Sequence, residues 1–232
     1  MFLTEKEIYG QYDALRQTYS YILGKAPQLR ELCQKHQPKS VTFIGCGSGY
    51  CLCRSAETSA KLRLGLPANA LAAGDLLVNF EQYRRLLQGT LLVAPSRSGD
   101  TSEVVLAVEQ AKAMGVPVVA IAAKEGSRLS GLADLMLEIP WAFNESVCQT
   151  RTVTNLYTIN LMLVAIWADD QSLLAEIDQA ILGGPAFMER NTAVAKEVAQ
   201  ADWDNVVVLA DAELDGIASE AALAFTEIAQ TR

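Results

Sequence analysis

Three stretches of the chain carry residue types that can do chemistry. In the first, Ser96-Arg97-Ser98-Gly99-Asp100-Thr101 follows the apolar run Leu91-Leu92-Val93-Ala94 and precedes Val104, Leu106, Ala107 and Val108 at helical spacing. A strand-to-helix turn of this kind lies at the carboxyl end of its strand, where open α/β sheets bind ligands. The helix start offers unpaired N–H groups and the positive end of a dipole, which suit an anion. Ser96, Ser98 and Thr101 add hydroxyls, and Gly99 lets the backbone come close. These groups suit the cradling of a phosphate. The same groups can instead cap the helix, with Asp100 or Thr101 at the N-cap. Spacing alone leaves both readings open.

The second stretch, 219–228, carries Glu220 and Glu227 seven residues apart, about two helical turns. Leu223 and Ala224 lie between them on the shared face, so the two carboxylates border apolar surface. Partial burial raises a carboxyl pKa toward neutrality and makes a usable base. Two solvated glutamates are the ordinary alternative. The third stretch is Gly45-Cys46-Gly47-Ser48-Gly49-Tyr50, which approaches a dinucleotide fingerprint. Tyr50 stands where the third glycine belongs and no acid closes the next strand, so no nicotinamide cofactor is expected. The cysteines 33, 46, 51, 53 and 148 have no framework spacing. With His36 the only histidine, a metal centre is not expected either.

These stretches need a scaffold. Ile8, Tyr12, Leu15 and Tyr19 predict a helix over 4–23, ended by Gly24 and Pro27, and a second helical run follows over 27–36. Apolar runs predict strands at 41–44, 68–72, 91–94, 116–121 and 134–139, the last at the sheet edge. Helices are expected over 50–64, from 74 to about 80, from 104 to 114, and from Gln149 or Thr150 through Trp167. Each strong strand is followed by a helical run, which predicts a doubly wound parallel sheet in an αβα sandwich. Gly183-Gly184-Pro185 marks a break, 186–200 a linking helix, and Asn205-Val206-Val207-Val208-Leu209-Ala210 a new first strand. The expected organisation is a helical arm over 1–37, an α/β domain over 38–183, and a partial second α/β unit over 184–232.

Ser-Arg-Ser-Gly-Asp-Thr resembles the Ser-x-Ser-Gly-x-Thr signature of the SIS (sugar isomerase) phosphosugar-binding domains. These include the isomerase part of glucosamine-6-phosphate synthase, deglycases and aldose–ketose isomerases. The likeness covers roughly 38–168, then 204–230 as the opening of a second copy. It implies a flavodoxin-like fold and a phosphosugar site built from Gly47, Ser48, Ser96, Arg97, Ser98, Gly99, Thr101, Val147, Gln149 and Thr150. Ser48 matches the first hydroxyl of the family's first sugar-phosphate loop, while Gly49 replaces the second. The segment 145–152 is similar to the family's Val-Ala-Ser-Thr-Lys, with Gln149 in place of serine. Ser219 to Ile228 resembles Leu-Glu-Gly-Ala-Leu-Lys-Leu-Lys-Glu-Ile, whose later glutamate is the isomerase base. That role falls on Glu227, with Glu220 orienting the site.

The implied activity is proton transfer between C1 and C2 of a 6-phosphorylated sugar or amino sugar, through an enediol or enamine and without a cofactor. A binding module without turnover is the alternative. The family's ring-opening histidine and its lysine lie in a later portion and have no counterpart here, since His36 reads as a surface residue. The chain is thus either a fragment or one that completes its site from another subunit.

The 232 residues are half hydrophobic and carry a net charge of −8, which argues against nucleic acid as a partner. No apolar run reaches the ~18 residues of a membrane span. With an odd count of unspaced thiols, a cytoplasmic location is expected. Tyr9, Tyr12, Tyr19 and Tyr21 give the helical arm more aromatic surface than a short arm normally exposes, so a homodimer or higher homo-oligomer is expected.

Overall fold

The computed structural model describes residues 2–229. Its centre is a five-stranded, all-parallel sheet in the order β2-β1-β3-β4-β5. The strands are β1 (Ser40–Gly45), β2 (Ala68–Ala72), β3 (Thr90–Ser96), β4 (Val118–Ala122) and β5 (Leu135–Glu138). β3 and β4 are buried along their whole length, as central parallel strands covered on both faces must be. Their side chains alternate between two cores. Phe43, Leu91, Val93 and Ile121 face one helical layer, while Ile44, Leu92, Ala94 and Ala120 face the other. The first layer holds α2 (Gln11–His36), α3 (Ser48–Leu64) and α7 (Arg151–Ala168); the second holds α4 (Ala73–Val78), the short α5 (Phe80–Tyr83) and α6 (Ser102–Ala113). This is the three-layer sandwich expected from the sequence. The order reverses direction between β1 and β3, which opens a crevice beyond their carboxyl ends.

Four local expectations are corrected. The arm breaks at Gly10, between α1 (Leu3–Tyr9) and α2, and α2 runs straight through Gly24 and Pro27. Pro27 supplies no N–H to the carbonyl of Leu23, but Leu23 lies on the exposed side where water can take that carbonyl. Ile22, Ala26 and Leu29 meanwhile hold the helix to the core. The second break is also absent: α8 (Gln171–Ala199) is continuous across Gly183, Gly184 and Pro185. There Gly184 lies so close to α2 that an added Cβ would stand 1.8 Å from the Tyr12 ring. The boundary expected at 183/184 thus falls inside one helix.

Third, 205–210 is not a strand. Val207 and Leu209 are 77 % and 88 % exposed, and no ladder partner receives their backbone groups among the described residues. Fourth, α3 begins at Ser48, two residues earlier than expected, which puts Ser48 and Gly49 in its first turn.

Of the second unit, the described residues hold α9 (Asp215–Ala224) and a π-helical turn over Phe225–Ala229, while its last three residues lie outside them. α9 docks on α3. Gly216 lies against that helix, where a Cβ would stand 2.1 Å from the Cys51 carbonyl. Arg54 pairs with Asp215 and donates to Ser219 Oγ at 3.0 Å, and Arg63 grips Glu213 at 2.8 and 3.0 Å. The arm's tyrosines are largely spent within the chain. Tyr12, Tyr19 and Tyr21 pack on the main core, with Tyr21 edge-on to Trp141 at 5.3 Å, and Tyr9 remains exposed.

Candidate phosphosugar site

The β3–α6 turn is organised by its own serines. Ser96 Oγ accepts the Gly99 N–H at 3.0 Å, and Ser98 Oγ accepts the Asp100 N–H at 3.1 Å. In each case the oxygen is used as an acceptor, so the O–H remains available to donate to a ligand oxygen. Gly99 has φ +67°, and a Cβ there would lie 2.1 Å from Ser127 Oγ. Only glycine fits both that conformation and that space.

The capping alternative does not describe this turn. Thr101 occupies the N-cap position of α6, but its side chain makes no cap bond. Asp100 turns away to Lys124 Nζ at 2.8 Å and to the Arg128 N–H at 2.9 Å. Those two bonds hold its carboxyl below the usual range. The first-turn N–H groups of α6 are therefore left without a side-chain cap, as an anion site requires.

Two further loops converge here. Ser48 is buried in the first turn of α3, and Gly49 abuts β3: an added Cβ would be 3.3 Å from the Pro95 carbonyl. Glycine stands here where the family pattern has a second hydroxyl, so this loop offers the single hydroxyl of Ser48. On the other side, Arg97 Nη1 donates to the carbonyls of Ser146 and Val147, both at 3.0 Å. This ties the cradle to the loop that carries Val147, Gln149 and Thr150.

Val147 is 89 % exposed, and Gln149 Oε1 is buried with no hydrogen-bond partner among the described residues. Thr150 sits at the N-cap of α7, but the cap is supplied by Asn144. Its Oδ1 accepts the N–H groups of Thr150 at 3.0 Å and Thr152 at 2.8 Å.

The two glutamates part company. Glu220 is 6 % exposed, while Glu227, in the π-helical turn, is exposed. Burial pushes the Glu220 carboxyl up to about 7; the Ser48 hydroxyl works against the rise and the nearby Glu227 adds to it. Glu220 Oε2 has no hydrogen-bond partner among the described residues. Because Glu220 meets Ser48, the carboxyl pair stands at the same end of the sheet as the cradle.

This burial has a measurable consequence. The folded pKa of Glu220 lies above its unfolded value of about 4.5, so proton binding favours the folded chain. That stabilisation is complete below about pH 4.5 and is lost as pH rises through about 7. It amounts to about 3 kcal/mol at an order-of-magnitude level. Glu220→Gln should remove this dependence, so thermal melts of variant and wild type should diverge between pH 5 and 8. Parallel melting curves across that range would show that Glu220 is solvated.

The sequence did not reveal the residues that hold these loops, namely Asn144, Arg97 in its loop-tying role, and Glu7. Glu7 and Arg97 act on partners distant in sequence, Asn144 also reaches six and eight residues ahead, and no local spacing marks any of them.

This fold and this crevice define a class. Residues 36–168 match the SIS domain family, and the chain belongs to it. Glutamine–fructose-6-phosphate aminotransferase (isomerizing) of Pyrococcus horikoshii is 28 % identical over 179 residues, covering 77 % of this chain and 29 % of that protein. Phosphoheptose isomerase of Tolumonas auensis is 36 % identical over 53 residues, covering 23 % of this chain and 28 % of that protein. The chain therefore spans less than a third of the length of that aminotransferase, and only a short segment of it matches the isomerase.

Among solved structures, tagatose-6-phosphate ketose/aldose isomerase from Escherichia coli matches with a TM-score of 0.81 at 21 % identity, over 97 % of this chain and 64 % of that one. Glucosamine-6-phosphate deaminase from Thermotoga maritima matches with 0.80 at 24 % identity, over 99 % and 68 %. At these identities the likeness is one of fold. No helix among the described residues is long and apolar enough to cross a membrane.

Proposed function

We infer that the chain binds a 6-phosphorylated sugar or amino sugar, with its phosphate on Ser96, Ser98, Thr101 and the α6 N-terminus. The observation that carries this is the pair of serine hydroxyls that order the turn as acceptors and keep their protons for a ligand. Gly47, Ser48, Arg97, Gly99, Val147, Gln149 and Thr150 complete the pocket. The chemistry is a proton shift between C1 and C2, of the aldose–ketose isomerase or deglycase kind. Glu227 carries the proton, because it matches the family's base and stands open to a ligand; the partial burial expected of that base falls on Glu220 instead. Glu220, buried against Ser48, orients the site. Such a shift needs no organic cofactor. A second copy of the chain is the expected macromolecular partner, in a reducing cytoplasmic setting; exposed Phe187, Val207 and Leu209, rather than the arm's tyrosines, support it.

Calorimetric titration with fructose 6-phosphate tests the cradle. Ser98→Ala removes one charge-assisted bond, so affinity should fall about 10–150-fold, or ~1.5–3 kcal/mol. Equal affinity in variant and wild type would place the phosphate elsewhere.

A further inference from the structure

We propose that Glu7, on the N-terminal helix α1, is a positioning residue for the sugar-facing loop, so that the arm forms part of the ligand site. This role rests on the phosphosugar reading above. Glu7 lies outside residues 36–168, the span that matches the SIS family, and no spacing in the sequence marks it.

Glu7 is only 3 % exposed, and a carboxylate so placed is costly unless donors surround it. All of its donors come from three consecutive residues far along the chain. Asn144 Nδ2 donates at 2.6 Å, the Glu145 N–H at 2.7 Å and the Ser146 N–H at 3.3 Å, and Ser146 Oγ donates as well. Burial alone would raise the carboxyl pKa, but these hydrogen bonds outweigh it and hold the group below its usual value. Glu7 is thus a fixed anion around which residues 144–146 fold.

The segment it holds is the one that lines the site. Asn144 passes the constraint forward by accepting the N–H groups of Thr150 and Thr152. Arg97, from the cradle, holds the carbonyls of Ser146 and Val147. Glu7 and Arg97 therefore clamp the loop between them. Arg97 belongs to the cradle, whereas Glu7 touches neither the cradle nor any ligand-facing atom in the described contacts. Removing Glu7 should loosen the sugar-facing loop and leave the β3–α6 turn, which its own serines organise.

Glu7→Gln tests this. Glutamine keeps the size but sets an NH2 group against a ring of donors, so it cannot take over the role. Two ligands are titrated by NMR into wild type and variant: fructose 6-phosphate, and inorganic phosphate as the probe of the cradle alone. The expected result is at least a tenfold loss of affinity for fructose 6-phosphate with less than a threefold change for inorganic phosphate.

Ser146→Ala, which removes one of the four donors, should move the same ratio by a smaller factor and carries the comparison if Glu7→Gln does not fold. Unchanged fructose 6-phosphate affinity in both variants overturns the role, as does an equal loss for both ligands, which marks a general effect on the fold. Wild-type protein that binds neither ligand overturns the phosphosugar reading itself, and this role with it.

Discussion

Glu227→Gln should bind fructose 6-phosphate as tightly as the wild type and turn it over about 10²–10⁴-fold more slowly, the usual contribution of a general base. Glutamine preserves the side chain's size and its hydrogen-bonding carbonyl while removing the proton acceptor. The position is exposed, so the exchange leaves the core untouched. Binding and chemistry should therefore separate in one variant. Steady-state rates beside a calorimetric titration would show it. An unaltered rate would remove Glu227 from the chemistry and leave Glu220, whose carboxyl is pushed up to about 7, as the base.

Gly99→Ala should weaken phosphosugar binding strongly by a different route. At φ +67° an alanine is strained, by about 1–3 kcal/mol for a non-glycine residue in this region. Its Cβ would also fall 2.1 Å from Ser127 Oγ and 2.5 Å from Ser127 Cβ, on the other wall of the turn. Ser127 is itself buried, and the Leu129 N–H is bonded to the Gly99 carbonyl at 3.1 Å. Relief therefore has to come from the turn. A displaced turn loses hydroxyl bonds to the phosphate worth about 1.5–3 kcal/mol each, so two such losses cost on the order of 10²-fold or more in affinity. Titration with fructose 6-phosphate should show that loss while circular dichroism remains that of an α/β protein. Wild-type affinity in this variant would mean that the turn is not the phosphate site.

What the sequence disclosed follows from how local each feature is. The strands were legible because parallel strands covered on both faces must be apolar at every position, as in Val118-Val119-Ala120-Ile121-Ala122. Helix ends were misread where glycine or proline suggested a break. Packing decided otherwise at Pro27, where buried Ile22 and Leu29 hold α2 to the core, and at Gly184, where the Tyr12 ring needs the space. Such punctuation is a weak prior that tertiary contacts override.

The run at 205–210 has strand composition, but a strand also needs a neighbour, and the described residues supply none. The cradle was legible because its groups are contiguous. Helical spacing put Glu220 and Glu227 on one face, yet it did not say which is buried. A π-helical turn over Phe225–Ala229 intervenes, and α9 presses Glu220 toward Ser48. Glu7 was invisible because its partners begin at Asn144 and only the folded chain brings them together.

The most direct test of the proposed activity is isotope exchange. Fructose 6-phosphate incubated with the wild-type chain in D₂O and recovered for NMR should carry deuterium at C1, or at C2 of any aldose formed from it, in proportion to protein and time. Phosphosugar that binds with measurable affinity but returns without deuterium at either carbon would contradict the account, because the chain would then hold the sugar without moving its proton.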